Sequence, residues 1–310
     1  MVAGFDPLER LRGIVTVLNT PFDAEGRVDA PALARNVAYA IEAGVAGFLA
    51  PAIASEVGRL SPGERLLVVD TILRAAAGRV PLVGGASAPT RAERRERAKE
   101  LLAAGCDCIL AALPFSDEAG WMADVEDLAS LDPPCLMVQD WDPAGYGIPV
   151  EAIAKAFGRF GAFRSIKVEV VPAGRKYSEI LAATGGRLHV CGGWAVTQLI
   201  EGLDRGVHGF LPTGMHRSYV SILRRYASGD RTGAIALFDR LSPVLAFSNQ
   251  HSEVSIRFFK RLLWRQGIYP TADVREPLLP FDSFHIRIAD ELIDRVLALE
   301  TELGGWRAPP

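Results

Sequence analysis

Short apolar runs and amphipathic stretches alternate along the chain. The first apolar run covers residues 13–17. A helix is predicted over 29–43, capped by Asp29, with Leu33, Val37 and Ile41 on one face and Gly44 ending it. A second run at 45–50 precedes a helix opening at Ser61, where Pro62 sits just inside and Glu64 completes a capping box. Further apolar runs follow at 80–84, 106–112, 134–139, 163–167, 187–191 and 207–211. Between and after them, helices are predicted near 90–104, 118–130, 149–157, 172–184 and 217–228, with another carrying Val196, Leu199, Ile200 and Leu203 on one stripe.

The result is eight strand–helix units. Most strand candidates are continuously apolar rather than alternating, as strands are when helices cover both faces of a parallel sheet. The expected fold is α/β, a (β/α)8 TIM barrel. Three more helices are predicted near 231–247, 253–264 and 284–303, so residues from roughly 230 to 310 read as a C-terminal helical extension. No low-complexity linker interrupts the chain, and residues 1–310 are expected to form one domain, frayed over 306–310.

Composition narrows the partners. The net charge is −3, so neither nucleic acid nor an anionic membrane surface is expected. No apolar run nears the roughly 20 residues of a membrane helix. The first ten residues lack a basic region followed by an apolar stretch, so no signal peptide is expected and the cytoplasm is the expected compartment. Cys106, Cys108, Cys135 and Cys191 lie in apolar runs without metal-ligand spacing and read as small buried thiols. No metal or cofactor is expected, since no glycine-rich dinucleotide motif follows a strand in the required context.

In a barrel of this kind the chemistry lies at the C-terminal ends of the strands. Lys167 stands there, in Ser165-Ile166-Lys167-Val168-Glu169. A charged amine is costly in a barrel core. A neutral one attacks a carbonyl, and the iminium so formed acidifies the neighbouring carbon. Position alone leaves open a structural lysine paired with Glu169 or Glu56. Glu56, Asp140 and Glu169 are candidates for acid, base or hydroxyl ligand, or for capping a loop. Gly192 and Gly193 would admit a close approach by substrate or simply form a tight turn. His189 and His208 read as core histidines, and His216 as a candidate at the rim.

The order of motifs resembles the dihydrodipicolinate synthase and N-acetylneuraminate lyase superfamily of class I aldolases. The resemblance is carried by Thr20-Pro21-Phe22, Gly44-Val45-Ala46-Gly47, Leu60-Ser61 with Glu64-Arg65, Ile166-Lys167 and Gly206-Val207-His208-Gly209. It implies that Lys167 is the Schiff-base lysine, that the ligand is a small 2-keto acid, and that the chain forms a homo-oligomer, a dimer or tetramer.

Departures from the family pattern redirect the substrate. Where the family has Gly-Thr-Thr-Gly-Glu, this chain has Ala52-Ile53-Ala54-Ser55-Glu56. Backbone N–H groups for a carboxylate survive that change, while the relay hydroxyl is lost unless Ser55 supplies one. Counting between Pro134 and Pro149 places the family's relay tyrosine at Val138, and Asp142-Pro143 occupies the region of its substrate-gripping arginine.

Ser55-Glu56, Met137-Val138-Gln139-Asp140, Lys167-Val168-Glu169 and Gly193-Trp194 together resemble the subgroup containing L-2-keto-3-deoxyarabonate dehydratase. That resemblance implies dehydration of a 2-keto-3-deoxy sugar acid. It makes Lys167, Glu56 and Glu169 the catalytic candidates. Ile53, Ala54, Ser55, Gln139, Asp140, Gly193, Trp194 and Thr213 become the substrate-binding ones. Retro-aldol cleavage to pyruvate and an aldehyde is the alternative, and a non-catalytic keto-acid-binding barrel a second.

Overall fold

A computed structural model describes residues 6–193 and 196–304. Eight parallel strands close into a barrel in chain order, as the repeat of apolar runs predicts. A short helix α1 (Pro7–Arg10) precedes the first strand. The strands are β1 (Gly13–Val17), β2 (Gly47–Leu49), β3 (Leu82–Gly85), β4 (Cys108–Ala112), β5 (Leu136–Asp142), β6 (Phe163–Val170), β7 (His189–Gly192) and β8 (Gly209–Phe210). After them in turn come α2 (Ala30–Ala43), α3 (Pro62–Ala76), α4 (Arg91–Ala104), α5 (Glu118–Ala129), α6 (Val150–Arg159), α7 (Ala173–Ala183), α8 (Leu199–Asp204) and α9 (His216–Ala227). The extension comprises α10 (Arg231–Ser248), α11 (Ser252–Arg265) and α12 (Ser283–Glu302). Among the described residues no helix is long and apolar enough to cross a membrane. Residues 306–310 lie outside the described residues.

Local chemistry sets the helix ends. Ser61 and Glu64 exchange hydrogen bonds at the start of α3, and Thr90 and Glu93 do the same at α4. Each such cap contributes about 1 kcal/mol. Asp29 caps α2, and Gly44 ends it at φ 96°, a left-handed conformation that costs glycine little.

Packing divides the described chain into two compact units. One holds residues 6–15 and those of Pro81–Leu211; the other holds Thr16–Val80 and residues from Pro212 onward. In the first, β3 to β7 bury Val83, Ile109, Leu136, Ile166 and Val190. In the second, Ala32 and Tyr39 of α2 pack with Leu263, Ile268 and Tyr269.

The strand ends depart from expectation in one direction at β5 and β6. Both run three residues past the apolar runs that announced them, to Asp142 and Val170. Seven paired positions link them, including Gln139 with Lys167 and Trp141 with Glu169. Polar residues continue the strands because the ladder, not side-chain hydrophobicity, holds the backbone there.

The histidines are core residues. His189 bonds Ser165 through Nδ1 at 3.0 Å and stacks on His208. Burial takes His189 down to about 3 and His208 to about 4. His216, read as a rim candidate, is instead buried, its ring bonded to Thr16 at 2.9 Å and to Asn36 at 3.3 Å. It opens α9, whose first turn is buried at His216, Ser218 and Tyr219. All four cysteines are buried free thiols.

Candidate active site

Alternation along β6 places Ser165, Lys167 and Glu169 on one face. Their paired neighbours share that face: Met137, Gln139 and Trp141 on β5, and His189 and Cys191 on β7. Lys167 is 7% exposed, and its Nζ lies 3.0 Å from Glu169 Oε1. Glu169 Oε2 accepts from Gln139 Nε2 at 2.5 Å. The three side chains form a line from amine to carboxylate to amide, with the carboxylate braced on both oxygens. A carboxylate in this place can receive a proton from the amine and return it.

The register shows which β5 residue lies beside Lys167. Val138 pairs with Ile166, on the face opposite Lys167, and is fully buried. Gln139 is the β5 residue beside the lysine. One position in a strand reverses the face, so Val138, where counting between prolines puts the family's relay tyrosine, lies away from Lys167.

Gly193 makes room for Glu169. A Cβ at residue 193 would overlap the Glu169 carboxylate, and one at 192 would press on the Tyr177 hydroxyl and the Phe210 ring. The glycine pair therefore admits protein groups. Gly193→Ala should displace Glu169 from Lys167 and slow imine formation roughly tenfold or more, with little change in melting temperature. Single-turnover borohydride trapping with pyruvate measures this; an unchanged rate would show that the carboxylate's position is immaterial.

Asp140 lines a cleft beside Gln139, and its carboxylate is held by protein groups. It lies inside β5 on the outward face, 1% exposed, with Oδ2 2.7 Å from Lys176 Nζ and Oδ1 accepting the Ile148 N–H at 2.9 Å. Burial pushes the Asp140 carboxyl above its usual range, and Lys176 opposes that.

The other unit holds the second group of candidates. Ile53, Ala54 and Ser55 form a single 3₁₀ turn. The Ser55 hydroxyl donates to the Leu18 carbonyl at 2.6 Å and accepts the Ala52 N–H at 3.0 Å, so its bonding is spent inside the turn. Asn19 and Thr20 hold the Ala54 and Ser55 carbonyls at 2.8 Å each. Among the described residues nothing takes the N–H of Ile53 or Ala54, the first two donors of the turn. Ile53 is 52% exposed.

Glu56 is fully engaged. Oε1 pairs with Lys260 Nζ at 2.7 Å and Oε2 accepts the Arg275 N–H at 2.8 Å, with both side chains of the ion pair wholly buried. Burial brings Lys260 down to about 8 against the pull of Glu56. The lysine also sits 4.1 Å from the centroid of the Phe22 ring. Thr213 is buried in the turn after β8, and Trp194 lies outside the described residues.

Lys176, Lys260 and Arg275 were not singled out by the sequence reading. A signal existed for two of them. Lys176 precedes Ile180 by four residues, and Lys260 follows Ile256 by four, so each falls on the buried stripe of its helix.

The sequence profile of the dihydrodipicolinate synthetase family matches residues 10–293. The chain belongs to this family. The 4-hydroxy-tetrahydrodipicolinate synthase of Methylobacterium radiotolerans is 28% identical over 291 residues, covering 92% of this chain and 95% of that one. The corresponding Brucella abortus enzyme is 36% identical over 105 residues, and there the match spans 36% of the relative's length.

Among solved structures, the 4-hydroxy-tetrahydrodipicolinate synthase of Methylacidiphilum fumariolicum SolV superposes with a TM-score of 0.85 at 20% identity, covering 94% of this chain and 98% of that one. A catalytic-lysine mutant of Ruminococcus gnavus sialic acid aldolase gives 0.84 at 15% identity, covering 96% and 99%. At these identities the superpositions speak to the fold alone. The superpositions place the chain on the same barrel as these enzymes.

Proposed function

We propose that this protein is a Schiff-base lyase that dehydrates a 2-keto-3-deoxy sugar acid. The observation that carries the reading is the buried Lys167 Nζ, 3.0 Å from a carboxylate that is itself anchored by Gln139.

Glu169 takes a proton from the Lys167 ammonium, and the neutral amine adds to the C2 carbonyl. Glu169 returns that proton to the carbinolamine hydroxyl, which leaves as water to give an iminium. The iminium draws electrons from the C3–H bond, and Glu169, within reach of the same nitrogen, receives that proton. Glu169 gives its proton to the C4 hydroxyl, which leaves as water; removal of a C5 proton and protonation of C3 then carry the conjugated imine to the semialdehyde level, and hydrolysis frees the amine. Glu56 takes no part, because both its oxygens are held by Lys260 and Arg275.

Retro-aldol cleavage is the second reading, since it uses the same iminium. It needs a base for the C4 hydroxyl, and the Ser55 hydroxyl is already committed to Leu18 and Ala52. Product analysis with a five-carbon 2-keto-3-deoxy sugar acid separates the two. A 2-keto acid semialdehyde with loss of one water supports dehydration; pyruvate plus an aldehyde supports cleavage. Borohydride with pyruvate should leave a mass adduct on Lys167, and its absence would remove both readings in favour of a barrel that only binds its ligand.

A further inference from the structure

Lys176 of α7 is wholly buried, and the proposed chemistry makes no use of it. A buried ammonium persists only where acceptors replace its water. Here they come from two places. On β5, Asp140 Oδ2 lies 2.7 Å from Nζ. On the 143–149 loop, the carbonyls of Ile148, at 2.5 Å, and of Tyr146 both accept from it. One side chain thus fastens the loop to the strand.

The same loop is tied elsewhere. The Tyr146 ring lies beneath the Lys176 amine, 5.0 Å to the centroid, and its hydroxyl donates to Glu179 Oε2 at 2.6 Å. The Gly147 N–H donates to Asp142 at 3.1 Å, and the Val171 N–H donates to the Gly145 carbonyl at 3.0 Å. Gly147 permits the fit: its φ is +65°, and a Cβ there would overlap the Asp140 carboxylate.

Gly147 and Ile148, with Leu113, Phe115, Gln139 and Trp141, line a cleft of about 220 Å³. Gln139 also donates to Glu169, so one side chain of the lining connects the cleft to the Lys167–Glu169 pair. Among the described residues that line it none is cationic, and Asp140 and Asp142 are acidic. A second carboxylate would find nothing to pair with there. The Gln139 amide oxygen suits a hydroxyl donor, and Trp141, 39% exposed, offers a flat face to C–H edges.

We propose that Lys176 is a positioning residue that locks the 143–149 loop and so shapes this cleft for the uncharged, hydroxylated end of the substrate. This rests on the keto-acid reading above. The test compares two ligands by borohydride trapping against concentration: pyruvate, which ends at C3, and a five-carbon 2-keto-3-deoxy sugar acid. Lys176→Met should raise the half-saturating concentration of the five-carbon acid roughly tenfold and leave that of pyruvate within about twofold.

Lys176→Met combined with Asp140→Asn removes the stranded charge, keeps the comparison available if the single variant folds poorly, and should show the same split. Amide exchange supplies a separate readout: residues 143–149 should be protected in the wild type and lose protection in either variant. Equal responses to both ligands, no response, or an unprotected wild-type loop overturns the role of Lys176 while leaving pyruvate trapping intact. Absence of any wild-type pyruvate adduct overturns the Schiff-base reading itself, and this role with it.

Discussion

Lys167→Ala should leave no borohydride-trapped adduct and lower turnover by roughly 10⁴-fold or more, because the covalent route is lost entirely. Glu169→Gln should behave differently. Its amide can still reach Gln139 and Lys167 but cannot take a proton, so turnover should fall by roughly 10²- to 10³-fold while the pyruvate adduct still forms, more slowly. The pair of results discriminates roles. If Glu169 only neutralised Lys167, its removal would change adduct formation and later steps alike. If it is the C3 base, the adduct survives and the later proton transfer fails, which solvent deuterium exchange at C3 of pyruvate reads directly. Adduct of wild-type intensity on Lys167→Ala would send the search to another amine.

The barrel was legible because its signals are local. The period of the apolar runs, the Ser61–Glu64 box and the Asp29 and Gly44 caps each concern residues within four positions of one another. The Lys167–Glu169 pair was legible for the same reason, being two apart on a strand. The rim was not. Apolar patterning stops where the strands become polar, so Asp140 and Glu169 read as loop residues although the ladder runs on beneath them. Nor does a lone sequence give the register that turns Val138 away and Gln139 inward. Glu56 is the clearest case: its partner lies 204 positions on, in a helix predicted only as an appendage. Family resemblance made Glu56 a catalytic candidate, and only the tertiary contact shows both its oxygens occupied.

That contact sets the largest expected effect on stability. Glu56→Ala leaves the Lys260 ammonium buried without its counter-charge, and Lys260→Ala strands the carboxylate; each should cost about 3–5 kcal/mol. For a chain of this size that is a fall of roughly 6–10 °C in melting temperature. The double replacement Glu56→Leu with Lys260→Met should recover most of the loss, because two apolar side chains need no solvation.

The pH dependence has a definite sign. Burial places Lys260 at about 8, below the value near 10.4 of a free lysine. Between those two values the unfolded chain holds more protons, so this site makes stability rise with pH there, by at most about 3 kcal/mol. Below pH 8 both states are protonated and the contribution is flat at its least favourable level. Denaturant melts of wild type and double variant from pH 7 to 10.5 measure the difference: the wild type should gain on the variant as pH rises through this window. A gap that stays constant, or single variants as stable as the wild type, would mean that the pair is hydrated and weak, and would return Glu56 to consideration as an acid or base.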